Sequence, residues 1–310
     1  MNARRRPGGQ ALGRSRRSEC QHGEVSDGPP SLQSYRERAP HPALAAHLAC
    51  VWVQHVEEGS APYRHRTVPN GSAELVVPVG AAPRIAGPRT GPVEEVLAPG
   101  AVVVGVRFRP GVGPWMLGAP AAEVVDRAPE AHELWGAGAG TLGERVAEAA
   151  TPWRAAALVE AEVLARLAHA PDADPDPIAG EAVRLLLPSH GREVGALTPA
   201  LHLSERHLRR RLAASVGLPP KALQRILRFQ VFLALARARG WAGGELARLA
   251  VAAGYADQPH LTRESVRLAG LPPGELLRES RHSCGPEHDH AASYGPLLRS
   301  GALRSGAAAG

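Results

Sequence analysis

"HLRRRLAASVGLPPKAL" (His207–Leu223) and "HLTRESVRLAGLPPGEL" (His260–Leu276) are two versions of one phrase, 53 residues apart. Aligned without a gap they agree at His207/His260, Leu208/Leu261, Arg210/Arg263, Gly217/Gly270, Leu218/Leu271, Pro219/Pro272, Pro220/Pro273 and Leu223/Leu276, 8 of 17 positions. Apolar spacing alone would match the leucines of two unrelated helices, but not the histidine, arginine and glycine as well. An internal repeat of this kind marks one supersecondary unit used twice. Ser204 and Asp257 stand where N-caps belong, and Gly217 suits the residue just past a helix end. Pro219 and Pro220 then open a helix of about 20 residues through Arg239, roughly 30 Å long at 1.5 Å per residue. Gly270, Pro272 and Pro273 repeat that exit.

Outward from the repeat, a shorter helical stretch precedes each copy: "EVGALTPALHL" before the first and "ELARLAVAAGY" before the second. Helix, short turn and helix is the layout of a helix-turn-helix, whose second helix enters the DNA major groove with its N-terminal residues at base edges. In the first copy Leu208 and Leu212 face inward and Arg206, Arg209 and Arg210 outward. In the second, Leu261 and either Val266 or Leu268 face inward, and Gln258, His260, Thr262 and Arg263 outward. Arginine can hold guanine and glutamine can hold adenine through paired hydrogen bonds. Charge favours the same partner. Ile178 to Ser280 holds 15 Lys/Arg against 8 Asp/Glu, a net +7 in a chain whose total is +6. A solvated basic face on a plain helical bundle is the blander reading; the duplication argues against it.

These stretches resemble the DNA-binding domain of AraC-type transcription regulators. The resemblance is carried by "LSERHLRRRLAASVGLPPKALQRILRFQ" and "LARLAVAAGYADQPHLTRESVRLAGLPP" and covers about a third of the chain. It implies seven helices, with two helix-turn-helix units joined by a long helix. It places base-edge contacts on Arg206, Arg209 and Arg210 in the first unit, and on Gln258, Pro259, His260, Thr262 and Arg263 in the second. It also implies RNA polymerase as a partner beside duplex DNA. The sequence departs from the family at Pro199, inside the first helix of unit one, where proline should shorten the helix. It departs again at Leu212 and Ser265, where the family prefers phenylalanine; Phe229 and Phe232 are placed to fill that space.

The expected fold class is α+β, with a small antiparallel β domain plus helices before an all-α domain. Strands are expected in "LACVWVQHV" (48–56), "AELVVPVG" (73–80) and "AVVVGVRF" (101–108), with turn signals at 69–71, 99–100 and 110–111. Helices are expected in "AAEVVDRA", "TLGERVAEAA" and "PWRAAALVEAEVLARLAHA". "PDADPDP" (171–177) reads as an extended linker between a sensor domain at 34–170 and the DNA-binding domain at 178–280. Residues 1–33 and 281–310 lack any period and read as disordered tails. The first part resembles the β-rich N-terminal domain of one subgroup of these regulators through "PHPALAAHLACVWVQ", "VPNGSAELVVPVG" and "VVVGVRFRPGVGPWMLGAPAAEVVDRAPE". It names no effector; Trp52, Asn70, Glu74, Arg107, Arg109 and Trp115 are the candidate contacts to a small molecule.

Enzyme readings are weaker. His282, Cys284, His288 and His290 could ligate zinc but lack paired spacing. Some AraC-type domains are fused to repair methyltransferases with a zinc-bound cysteine, and Cys20 and Cys50 alone cannot build that centre. Ser204 and His207 lack an acid to orient the histidine. No catalysis, cofactor or metal is expected. Scattered cysteines without a secretory signal fit a cytoplasmic protein, and no apolar run is long enough for a membrane span. The alternative is a non-DNA-binding small-molecule or enzymatic β domain with a helical appendage.

Overall fold

The computed structural model describes residues 32–111, 114–169, 176–190, 193–241, 244–283 and 289–298. The first domain contains β1 (Gln33–Arg38), β2 (Leu48–Val56), β3 (Tyr63–Thr67), β4 (Glu74–Pro78), β5 (Arg84–Ala86), β6 (Val93–Leu97) and β7 (Val102–Phe108). Five of them form an antiparallel sheet in the order β1-β2-β7-β4-β5, while β3 and β6 pair as a separate ribbon. After β7 come α1 (Pro114–Leu117), α2 (Ala131–Trp135), α3 (Gly140–Ala147) and α4 (Pro152–His169).

Side chains alternate across a strand, so each central strand carries two messages. Val51 and Val53 of β2, Val104, Val106 and Phe108 of β7, and Leu75 and Val77 of β4 share one core with Val159 and Val163 of α4. The alternate residues Trp52, Gln54, Val76, Val103 and Arg107 line a cavity on the opposite face. Gly105 lies between Val103 and Arg107 because the Trp52 indole occupies its place. A Cβ there would stand 2.5 Å from both the ring and the Leu75 carbonyl.

The three expected strands are β2, β4 and β7. Expected helices at 141–150 and 152–170 are α3 and α4. "AAEVVDRA" is not a helix: only Ala121–Glu123 form a 3-10 turn, and Asp126 has φ 57°. The segment then runs beside β5, where Gly87 and Ile85 donate backbone hydrogen bonds to Arg127 and Pro129. Two β-branched valines and a left-handed aspartate favour that extended course over a helix.

The second domain comprises α5 (Pro177–Leu186), α6 (Leu197–Leu201), α7 (Glu205–Ser215), α8 (Pro220–Ala238), α9 (Leu246–Ala252), α10 (Gln258–Ala269) and α11 (Pro273–Ser283), seven helices as the resemblance implied. Three boundaries need correcting. Asp176 and Pro177, read as linker, are the N-cap and first residue of α5; the Asp176 carboxylate accepts from the Ile178 and Ala179 N–H groups. The rest of the linker lies outside the described residues. Gln33 likewise begins β1 rather than ending a tail, and α12 (Ala291–Leu297) lies within the expected C-terminal tail.

The α8 core carries the interior. Phe229 and Phe232 stack at 5.8 Å and both are buried in the same core as Leu212. Ser265 has a use of its own: its buried hydroxyl donates to the Leu271 carbonyl at 2.7 Å and fastens the second exit turn.

Candidate nucleic-acid interface

The two candidate recognition helices are α7 and α10. Ser204 accepts from the His207 N–H at 3.3 Å, and Asp257 accepts from the His260 N–H at 2.6 Å, so each N-terminus is capped three residues ahead. Leu208, Leu212, Leu261 and Leu268 are buried, whereas Val266 is 47% exposed, which settles the inward residue of α10 as Leu268. Arg206, Arg209, Arg210, Gln258, Pro259 and Arg263 are exposed on the first two turns. Two residues are less free than the sequence suggested. His260 is half-buried, edge-on to Tyr255 at 5.2 Å, and Thr262 donates its hydroxyl to the Gln258 carbonyl. Arg209 pairs with Glu205 at the surface, an ion pair that a phosphate or base could replace at little cost.

The exits of both recognition helices are held by the first domain. At Gly217, with φ 78°, a Cβ would stand 2.7 Å from the Ala121 carbonyl and 2.9 Å from Val125. At Gly270, with φ 75°, the neighbours are Arg66 and Pro92. Arg66 of β3 donates to the Ala269 carbonyl at 3.1 Å, one of the last acceptors of α10, and pairs with Glu94 and Glu279. Gln230 in the middle of α8 donates to the Pro69 carbonyl at 2.7 Å in a buried contact. The repeated Gly-Leu-Pro-Pro is therefore both a helix exit and a docking point.

Between the domains lies a cavity of about 880 Å³. Its floor is Arg107, which bonds Glu74 at 2.8 Å, Glu37 at 3.0 Å and the Tyr35 hydroxyl at 3.2 Å. Burial opposes the Arg107 charge, but the carboxylates around it raise its pKa further. Burial would also raise Glu37, yet hydrogen bonds from His290 and Ser293 and the Arg107 charge hold it well below the usual carboxylate range. Burial lowers the His290 pKa, while its 3.3 Å hydrogen bond with Glu37 works against that shift. Trp52, Tyr35, His290 and Tyr294 follow one another at centroid distances of 5.9, 4.6 and 4.9 Å.

Of the candidate effector contacts, the structure brings Trp52, Asn70, Glu74 and Arg107 to this cavity. Arg109 is elsewhere, bonded to the Ala45 carbonyl, and the Trp115 side chain lies outside the described residues. Sequence reading missed Tyr35, Arg237, His290 and Tyr294, which come from the chain's far ends and from α8. Burial pushes the Cys50 thiol up, which suits a packed residue and not a nucleophile. The zinc candidates Cys284 and His288 and the His282 side chain lie outside the described residues, and His290 is engaged with Tyr35 and Glu37. Among the described residues no helix is long and apolar enough to cross a membrane.

Comparison with known proteins agrees with the second domain. Residues 197–279 match the family model described as a helix-turn-helix domain, and residues 36–130 match that of a domain of unknown function (DUF6597). No curated protein matches the sequence. Among solved structures, the fold is similar to ToxT from Vibrio cholerae O395, at 8% identity and TM-score 0.41 over 81% of this chain and 98% of that one. Another structure of ToxT from Vibrio cholerae, in a P21 crystal form, gives 10% identity and TM-score 0.42 over 79% of this chain and 98% of that one.

Proposed function

We propose that this chain, whose residues 197–279 match a helix-turn-helix domain, is an AraC-type transcription regulator that reads two DNA subsites with α7 and α10 while its first domain senses an effector. The observation that carries the reading is the pair of capped, Arg- and Gln-bearing helix N-termini, each exposed and each held at its far end. Arg206, Arg209 and Arg210 read one major groove. Gln258, Pro259, His260, Thr262 and Arg263 read the next, with α8 as the spacer. Its 19 residues span about 28 Å, close to the roughly 34 Å between successive major grooves on one DNA face. RNA polymerase as partner and a cytoplasmic location belong to the same proposal.

Regulation follows from the docked exits. An effector that shifts the first domain would move the Arg66 contact at one exit and the Ala121 contact at the other, altering how the two recognition helices are presented together. The founding test is a salt series on duplex DNA. With about 6 phosphate contacts, affinity falls roughly 10³-fold between 50 and 200 mM salt. A flat dependence overturns the DNA reading and returns the second domain to a helical appendage.

A further inference from the structure

Six arginines line the cavity between the domains, Arg64, Arg66, Arg84, Arg89, Arg107 and Arg237, against three glutamates, Glu74, Glu95 and Glu279. Their partners sort them. Arg107 is neutralised by Glu37 and Glu74, Arg66 by Glu94 and Glu279, and Arg64 by Glu94. Arg84, Arg89 and Arg237 have no carboxylate partner among the described residues, so the wall keeps a small positive surplus even with Glu95 and the second carboxylate on Arg107 counted against it. Arg237 comes from α8 of the DNA-binding domain and lies 6.0 Å from the Tyr294 ring; Arg84 and Arg89 come from the first domain.

The second observation is an orphan. Trp52 is 5% exposed and lines the cavity, yet its indole Nε1 has no acceptor among the described residues. Buried donors are normally satisfied; this one lies sealed within the cavity wall, where a bound acceptor reaches it once the indole turns. The third is composition. The chain has 5 Trp, 4 Tyr and 3 Phe, and five of these, Tyr35, Trp52, Tyr63, Trp241 and Tyr294, line this one cavity. Of the five, only Trp241 also packs against the helical core, and the three phenylalanines are buried elsewhere. Around 880 Å³ is also the size of a pocket for a small organic molecule.

We propose that the cavity binds an organic anion with a flat aromatic body. The body lies against the Trp52–Tyr35 wall, an acceptor on it takes the Trp52 N–H, and its acidic group meets the uncommitted arginines. A neutral sugar fits less well, because Glu74, a natural acceptor for hydroxyl groups, is already held by Arg107 and Asn70. A metal ion fits less well too, as no group of three His, Cys, Asp or Glu side chains is placed to hold one among the described residues. The assignment rests on the sensor reading of the first domain and gives it a ligand class.

The test uses the full chain and two fluorescent probes. One is 8-anilinonaphthalene-1-sulfonate, an aromatic anion; the other is the neutral N-phenyl-1-naphthylamine. The anion should bind saturably at one site per chain. Arg84→Gln together with Arg237→Gln should weaken it by about tenfold or more while changing the neutral probe less than about twofold. Both side chains are solvent-exposed, so the double variant folds. Trp52→Phe should weaken the anion severalfold, and Arg154→Gln, on the surface of α4, should leave it unchanged. Non-saturable binding, or equal losses for both probes, overturns the proposal. DNA binding measured on the same samples separates the two readings. Salt-sensitive DNA affinity without probe binding sinks only the ligand site, and probe binding without DNA affinity sinks only the regulator.

Discussion

The two copies of the repeat share their leucines and their exits but are braced differently. Unit one leads with α6, five residues long, which has Pro199 in its first turn and is ended by His202 in the left-handed region at φ 52°. Proline there has no helical N–H partner to forfeit, so the helix starts unbroken and its end is set at His202. Its recognition helix is tied back by Arg211, which donates to Asp176 at the start of α5 at 2.9 Å. Unit two leads with the seven-residue α9, and its recognition helix is tied to α8 by the 2.7 Å Arg225–Glu264 pair. Tyr255 adds a second tie, lying between Arg228 of α8 and His260 of α10. Unit one is therefore rich in charge and lightly supported, while unit two is better fixed and carries amide, imidazole and hydroxyl groups. That contrast favours phosphate attraction with looser reading in the first groove and sharper discrimination in the second.

The largest effects should be at base edges. Gln258→Ala should relax specificity in one half of the DNA site, and Arg206→Ala or Arg209→Ala in the other, by about 1–3 kcal/mol for each bidentate pair of hydrogen bonds to a base. Footprints of the variants on selected DNA decide it. Weakening spread evenly over the whole site would assign these side chains to the backbone and erase the contrast in reading.

Bracing comes next. Arg225→Ala leaves the Glu264 carboxylate, 14% exposed, without its partner and should cost about 1–2 kcal/mol of stability. Arg211→Ala removes a pair whose arginine is 35% exposed and should cost less than about 1 kcal/mol after solvent screening. Denaturant midpoints measure both; equal losses would mean that the units are equally supported.

The caps give a smaller difference of the same sign. Asp257→Ala, which removes a charged acceptor at 2.6 Å, should destabilise by about 1 kcal/mol. Ser204→Ala, which removes a 3.3 Å bond, should come nearer about 0.5 kcal/mol. Thermal melts of the two variants check the order.

The smallest effect concerns pH and the attachment of α12. His290 faces Glu37 and Tyr35 of β1, Arg107 of β7, Arg237 of α8 and Tyr294 of its own helix. Burial lowers its pKa below 6.5, so the unfolded chain takes up a proton first and stability falls as pH drops below that value. Glu37, also lowered, adds a loss in the same direction below about 4.5. Amide exchange in 291–297, corrected for its intrinsic pH dependence, should therefore speed up between pH 7 and 5. Unchanged protection would show that His290 does not hold the helix.

Legibility in the sequence followed the range of the forces involved. "LACVWVQHV" matches β2 residue for residue, and "ERHLRRRLAAS" matches α7, because alternation, capping and the exit glycine are local signals. The β3–β6 ribbon was not legible. "YRHRT" and "VEEVL" have no apolar alternation and hold through cross-strand pairing such as Arg64 with Glu94. Residues 289–298 read as tail because a short helix with Pro296 inside it has little propensity of its own. It is held by Ser293 and His290 on Glu37, some 250 residues earlier in the chain.

By itself, then, the sequence determined the repeat and its caps, the outward arginines and glutamine of the two helices, and the two-faced strands, since each is written in spacings of two to four residues. Only the tertiary structure decided that both Gly-Leu-Pro-Pro exits are docking points and that Arg66 reaches the end of α10. The same holds for the union of Tyr35, Arg107, Arg237 and His290 around one cavity. Those partners lie on different elements with no periodic relation. Their meeting is set by how the sheet, α8 and α12 pack, where the burial of charge and the satisfaction of polar atoms outweigh any local preference.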